Sequence, residues 1–337
     1  MVTHLLTPPI IDSLPQYSYP LSILSDPAQY ETFIIDHFIN LKADNYNNEV
    51  AVLDYCENSF LTFSMFEESS LQCYRADVTD EITDFVISKL EEGYCVFLHV
   101  DEIYLSFSIA YKTRNFGHGI MVHGYSKEDS VFYVAGYNQN NKLSSHDVPF
   151  VDLAQSYNHM GKVLEQNRQV EYLSKVFLIK NNHKKHAADV LLLTNAISDY
   201  RQSINTVHHY PRDYDTECET VFGLDIYDLL ISHFTLAMEK DIMLLLKNSY
   251  LLAEHKRMMS LRLKLLAKQE GLDLTVIQEQ YTSIERMSDQ LLMLHIKGQL
   301  TNDKRVIPKI VHLLEEIKRE ETKALDSLIA VLPLIRS

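Results

Sequence analysis

No stretch of this chain approaches the roughly 18 uninterrupted apolar residues that a bilayer-spanning helix needs. The amino terminus, MVTHLLTPPIIDSLPQYSYP, has neither the basic start nor the long apolar segment of a secretory leader. Both absences predict a cytoplasmic protein with no membrane partner. Cysteine is scarce, with Cys56, Cys73, Cys95 and Cys218 forming no CxxC pair. Four cysteines in 337 residues exclude a disulfide scaffold and predict reduced thiols. HExxH, HxH and carboxylates at ligand spacing are missing, so no metal is expected. GxSxG, a Walker-type loop and GxGxxG are missing too, which removes the common serine-hydrolase and nucleotide-binding signatures. Basic charge is in deficit: 31 Lys and Arg stand against 46 Asp and Glu, a formal charge of −15. With no basic stripe interleaved with aromatics, a nucleic-acid partner is excluded.

What is present is enough apolar material, 46% of residues, to bury a sizeable core in one large domain or two ordinary ones. Early prolines (Pro8, Pro9, Pro15, Pro20, Pro27) predict an extended lead-in over residues 1 to about 30. A short helix over Tyr30 to Leu41 and a brief strand over Val50 to Leu53 follow. DEITDFVISKL, with Ile82, Phe85, Val86 and Leu90 on one face and acidic residues at its start, predicts a helix ended by Gly93. YCVFLHVDEIYL predicts a strand buried on both faces, and GHGIMVHGY and SVFYVAGY, joined by the polar SKED, predict a hairpin. A last strand around Val170 to Lys180 closes this part, and NNHKKHAAD is a linker. The order is α+β with an antiparallel sheet.

From Ala187 onward nearly every long segment is helical by its spacing. Ile277, Tyr281, Ile284, Met287 and Leu291 make one stripe; Ile310, Leu314, Ile317, Leu325 and Leu328 make another. One-sided stripes need a partner, so a helical bundle over 183–337 is expected after an α/β domain over 1–182. The bundle's expected roles are to shape an acceptor pocket, to dock a partner, or to associate as a homodimer. His255, Lys256, Arg257, Arg262, Lys264 and Lys268 would give one of its helices a basic face for an acidic partner.

A cysteine nucleophile needs its thiolate stabilised and a base to take its proton, and a Cys at a helix N-terminus facing a His on a nearby strand supplies both. Cys56 follows Val50–Leu53 and opens a segment, Glu57 to Phe66, whose Phe60, Phe63 and Phe66 suit a buried helical face. His118 opens the strand HGIMVHGY behind Gly117. His123, an odd number of positions further on, should face away from it. The other thiols carry the plainer expectation of a small buried hydrophobe: Cys95 sits within an apolar strand, Cys73 in a polar stretch without a His pattern, and Cys218 among acidic residues that raise a thiol pKa.

DYCENSF, EEGYCVFLHVDEIYL, the Tyr111-preceded GHGIMVHGY, SVFYVAGY and YLLAEHKRMMSLRLKLL together resemble, in order and spacing over about two thirds of the chain, the butirosin biosynthesis protein H type of family. These are papain-like proteins found beside polyketide and nonribosomal peptide assembly lines. More distantly, the architecture resembles bacteriocin-processing cysteine peptidases. The resemblance implies a papain-like first domain and an acyltransferase without a bound cofactor. Such an enzyme takes an acyl group from the phosphopantetheine of an acyl or peptidyl carrier protein, holds it on cysteine and passes it to an amine acceptor, a small molecule or a peptide. By position Cys56 would be the nucleophile and His118 the base. Asp101, matching a recurrent family acid, would be structural or line the cleft, and Tyr111 would line the substrate site. Where the family has Asp at the end of the return strand this chain has Gly136, which nominates Asn138, two residues on, to orient the histidine. Val50 stands where papain-like peptidases place an oxyanion-hole Gln, leaving the Cys56 amide with Asn47 or Asn48 as substitutes. A peptidase or thioesterase on the same dyad, and a non-catalytic interaction protein with this fold, remain alternatives.

Overall fold

The computed structural model describes residues 2–24, 27–56, 71–78, 81–140, 142–166, 176–181, 183, 188–206 and 218–332. It divides into two compact units, and neither is one continuous piece of chain. The first comprises 1–30 and 59–186, the second 31–58 and 187–337. The division expected at 182/183 therefore differs chiefly in residues 31–58, which join the helical unit and bring strands to it.

In the first unit, β1 (Val2–Thr3), β4 (Leu71–Ala76), β5 (Cys95–Asp101), β6 (Gly117–Ser126), β7 (Val131–Tyr137), β8 (Leu143–Pro149) and β9 (Val176–Asn181) form an antiparallel sheet. Its order is β4-β9-β5-β6-β7-β8, with β1 on the far end of β6. The helix α3 (Ile82–Glu91) and the helix α4 (Phe150–Gln166) supply Ile82, Phe85, Val86, Leu90 and Leu153. These pack with Val96, Leu98 and Val100 of β5, Ile120 and Val122 of β6, and Phe132 and Val134 of β7 in one core. β5 is buried almost throughout, as its unbroken apolar run predicts.

The proline-rich lead-in contains a helix, α1 (Pro15–Ser22), where an extended segment was expected. Pro15 stands at its first position, where a missing N–H costs nothing. The same logic starts the helix α2 (Pro27–Asp36), which begins and ends a few residues before the predicted span of Tyr30 to Leu41, and Leu41 already belongs to a strand.

The second unit holds a three-stranded antiparallel sheet, β10-β2-β3, made of β2 (Leu41–Tyr46), β3 (Val50–Tyr55) and β10 (Glu219–Phe222). Around it run α5 (Val190–Gln202), α6 (Ile226–Glu239), α7 (Leu246–Glu270), α8 (Thr275–Thr301) and α9 (Ile307–Val331). All five residues of the second predicted stripe are buried in α9, and Ile277, Tyr281, Ile284 and Leu291 of the first are buried in α8. Among the described residues, no helix is long and apolar enough to cross a membrane.

α7 overturns the expected basic face. His255, Lys256 and Arg262 are fully buried, leaving Arg257, Lys264 and Lys268 exposed. Helix α7 packs on α8 and on β3, so His255, Lys256 and Arg262 turn inward to partners rather than outward to solvent. Lys256 Nζ lies 2.6 and 2.7 Å from the two oxygens of Glu321 in α9 and 3.1 Å from the Tyr200 hydroxyl. Arg262 donates to the carbonyls of Ile34, Ile35, His37 and Phe38 at the end of α2. The Lys256 charge is thus paired and the Arg262 charge hydrogen-bonded, as burial requires.

Candidate functional site

His118 leads β6 into the sheet unit and keeps about a quarter of its side chain (27%) exposed. Its Nδ1 lies 2.9 Å from Oε1 of Glu102, the first residue of a short 3-10 turn (Glu102–Tyr104) that ends β5. β5 and β6 pair with Val100 opposite His118. That register brings the strand-end acid to the strand-start imidazole. Glu102 is buried, and its second oxygen accepts the Ser108 hydroxyl at 2.5 Å. With Nδ1 held against the carboxylate, Nε2 is the ring nitrogen turned away from Glu102.

Aromatic rings frame this imidazole. Phe116 is stacked with it at 5.4 Å and 27°, and Tyr137 meets it edge-on at 6.1 Å. Tyr137 donates to the Asp12 carbonyl at 2.7 Å and lies 2.9 Å from the Ser18 hydroxyl, while Tyr19 donates to the Gly119 carbonyl at 2.8 Å. Burial, together with Tyr137 and Glu102 nearby, holds the Tyr19 phenol well above its ordinary pKa, so it stays a donor. His99 in β5 is pushed down to about 3, first by burial and then by the neighbouring His118 imidazole, and is neutral at physiological pH.

The acid that orients His118 is Glu102 rather than Asn138. Asn138 Oδ1 accepts the amides of Asn140 and Lys142, and its Nδ2 donates to Ser144, so it is spent on holding the β7–β8 turn. Gly136 has a packing reason of its own: a Cβ there would lie 2.6 Å from the Phe107 ring, which stacks on His146 at 4.1 Å. A carboxylate at 136 has no room beside Phe107.

Asp101 is fully buried and structural in its contacts. Its Oδ1 accepts the amides of Ile103 (3.2 Å) and Phe116 (2.8 Å), closing the loop that runs from Glu102 to His118, and its Oδ2 is 2.8 Å from His159 Nδ1 in α4. The sequence pair Asp101-Glu102 therefore holds two imidazoles, and the sequence reading stopped one residue short of the one on His118. Tyr111 is half-buried on the same loop, with the Lys112 ammonium 4.7 Å above its ring. His123 bonds the His4 carbonyl and Ser145 and has no part in the Glu102 pair.

Cys56, Asn47 and Asn48 belong to the other unit. Cys56 follows the last residue of β3, its amide donates to the Asn40 carbonyl at 2.8 Å, and it is 7% exposed. The helix expected over 57–66 lies outside the described residues. Asn47 and Asn48 form the exposed turn between β2 and β3, both at positive φ (53° and 58°), with Asn48 bonded to Asn45. β3 separates them from Cys56 by its whole length, about 20 Å at roughly 3.3 Å per residue. They are turn residues and cannot complete an oxyanion hole at Cys56. Cys95 fits its plain expectation: buried in β5, its thiol is pushed up to about 12.

No protein-family model matches the chain, and no curated protein is significantly similar to it.

Proposed function

We propose that this protein is a papain-like, cysteine-dependent acyltransferase. It would take an acyl group from a carrier-protein phosphopantetheine thioester onto Cys56 and pass it to an amine in secondary-metabolite biosynthesis. The observation that carries the proposal is the imidazole of His118, partly exposed and held through Nδ1 by the buried carboxylate of Glu102. Glu102 takes the orienting role, which leaves Nε2 to withdraw the thiol proton and later to return a proton to the leaving thiol. Attack by the Cys56 thiolate on the thioester carbonyl releases the pantetheine thiol; attack by the neutral amine on the resulting acyl-cysteine releases Cys56, with His118 taking the amine proton. No cofactor enters either step.

A direct test is intact-mass analysis with acyl-pantetheine. The wild-type chain should gain the acyl mass on Cys56, and Cys56→Ala should not; an adduct that persists in Cys56→Ala rejects the assignment. His118→Cys should form a disulfide with Cys56 under mild oxidation if the thiol and the imidazole position meet. Release of the acyl group to an added amine supports transfer, and release only to water supports a peptidase or thioesterase.

A second reading, a papain-like interaction protein without turnover, is favoured by the burial of Cys56. Iodoacetamide separates the two. A catalytic Cys56 alkylates well below about pH 8, and an inert one does not.

A further inference from the structure

We propose that Arg114 and Lys112 form an anion-binding subsite that receives a phosphate group on the substrate arm leading to His118. Three observations on one loop of the sheet unit carry it. First, Arg114 and Lys112 are both exposed and both laid on aromatic rings. The Arg114 guanidinium carbon is 5.4 Å from the Phe116 centroid and the Lys112 ammonium 4.7 Å from that of Tyr111. Neither makes a direct ion pair among the described residues, the Lys112 ammonium being hydrogen-bonded to the Tyr111 side chain with the Asp152 carboxylate acting on it from a distance, in a chain with 46 acidic side chains against 31 basic. Elsewhere Arg201, Arg257, Arg305 and Arg319 each have a carboxylate, while the exposed Arg286 of α8 shares the unpaired state without a ring beneath it among the described residues.

Second, Phe116 is stacked on His118 itself, so guanidinium, phenyl and imidazole form a ladder from the basic nitrogen out to a cation. A guanidinium stacked on a ring keeps its N–H edges free, and that fork matches two phosphate oxygens. Third, Lys112 occupies a left-handed backbone position (φ 54°), one that disfavours a residue with a Cβ, and is held there by its amide donating to the Ile103 carbonyl at 2.9 Å. The same loop exposes Ile109 (58%) and Phe116 (37%), an apolar surface for an uncharged arm between the anion and the reacting end.

The subsite rests on the acyl-transfer reading only for its probes, pantetheine 4′-phosphate and pantetheine. Neither carries an acyl group, so binding is read without chemistry. Titration of the full chain, followed by the His118 imidazole resonances, should give the phosphorylated probe an affinity at least about tenfold tighter, as a charge-assisted fork contact allows. The preference should weaken with salt and fall below about twofold in the double variant Arg114→Gln/Lys112→Gln, while Arg114→Lys keeps an intermediate preference. Both positions are exposed, and an unchanged amide spectrum elsewhere checks the fold of each variant. Equal affinity for the two probes, or a preference that survives the double variant, overturns the subsite. A phosphate preference without any acyl adduct on Cys56 keeps the subsite and removes the acyltransferase; an adduct without the preference does the reverse.

Discussion

His118 Nδ1 and Glu102 Oε1 stand 2.9 Å apart, and the Ser108 hydroxyl on the other Glu102 oxygen leaves that carboxylate a single orientation toward the imidazole. Glu102→Gln preserves shape but can present an amide N–H where the imidazole needs an acceptor, which favours the wrong tautomer. The rate of acyl-adduct formation at Cys56 should fall by about 10²–10⁴-fold, as loss of an oriented base does elsewhere. Stability should change little by comparison. Time-resolved intact mass measures the first and urea denaturation the second; a Glu102→Gln chain that acylates at the wild-type rate removes Glu102 from the mechanism.

The Phe107 ring fills the space above Gly136. Gly136→Ala would place a methyl group 2.6 Å from that ring and should destabilise the sheet unit by about 1–3 kcal/mol through overpacking. Pairing it with Phe107→Leu, which shortens the opposing side chain, should recover part of the loss. Chemical denaturation of the two single variants and the double variant gives the coupling directly.

Lys256 and Glu321 form a wholly buried pair, with Tyr200 and Tyr227 on the same polar atoms. Removing one partner strands a charge. Lys256→Met should therefore cost about 3–5 kcal/mol, whereas Lys256→Met/Glu321→Leu should return most of it. A double variant as unstable as the single would mean that the tyrosines, not the opposite charge, carry the cost of burial.

Burial pushes His295 down to about 4 from an ordinary 6.5 and also lowers His233 and His255. The folded chain thus resists protonation that the unfolded chain accepts below about 6.5. Stability from these residues is fully present above pH 6.5 and is lost as the pH falls from 6.5 toward 4, because the unfolded state binds more protons across that interval. Urea midpoints should decline from pH 7 to pH 4.5, and His295→Gln should flatten the decline. An equally steep slope in the variant would assign it elsewhere.

Residue pattern gave the sheet strands where burial imposes a regular code. Val96, Leu98 and Val100 in β5, and Ile120 and Val122 in β6, face a core that dictates their type, and the stripes of α8 and α9 were legible for the same reason. The segment β8–α4, in contrast, went unread: β8 carries Ser144, Ser145, His146 and Asp147 on a sheet edge with little apolar demand. His118 was legible as a strand-opening histidine behind a glycine. Its acid was not, because strand alternation fails at the 3-10 turn, so Asp101 and Glu102 cannot be told apart by period. Lys256 and Arg262 misled for a related reason. A charged residue is expected at the surface, and only the coordinates reveal Glu321 and four carbonyls waiting inside.

Beyond a single bridge between Val50 and Met243, the outer edge of β3 is held by a side chain: Asn248 of α7 accepts the Leu53 amide at 3.0 Å and donates to the Ala51 carbonyl at 2.8 Å. Asn248 follows Leu53 by 195 positions in the chain. At translation speeds of about 5–20 residues per second, the nascent strand spends about 10–40 s on the ribosome with that edge open. During those seconds it is a bare template for pairing with a neighbouring nascent chain. Slowing synthesis between β3 and α7 should therefore raise the insoluble fraction more than the same delay placed after α9.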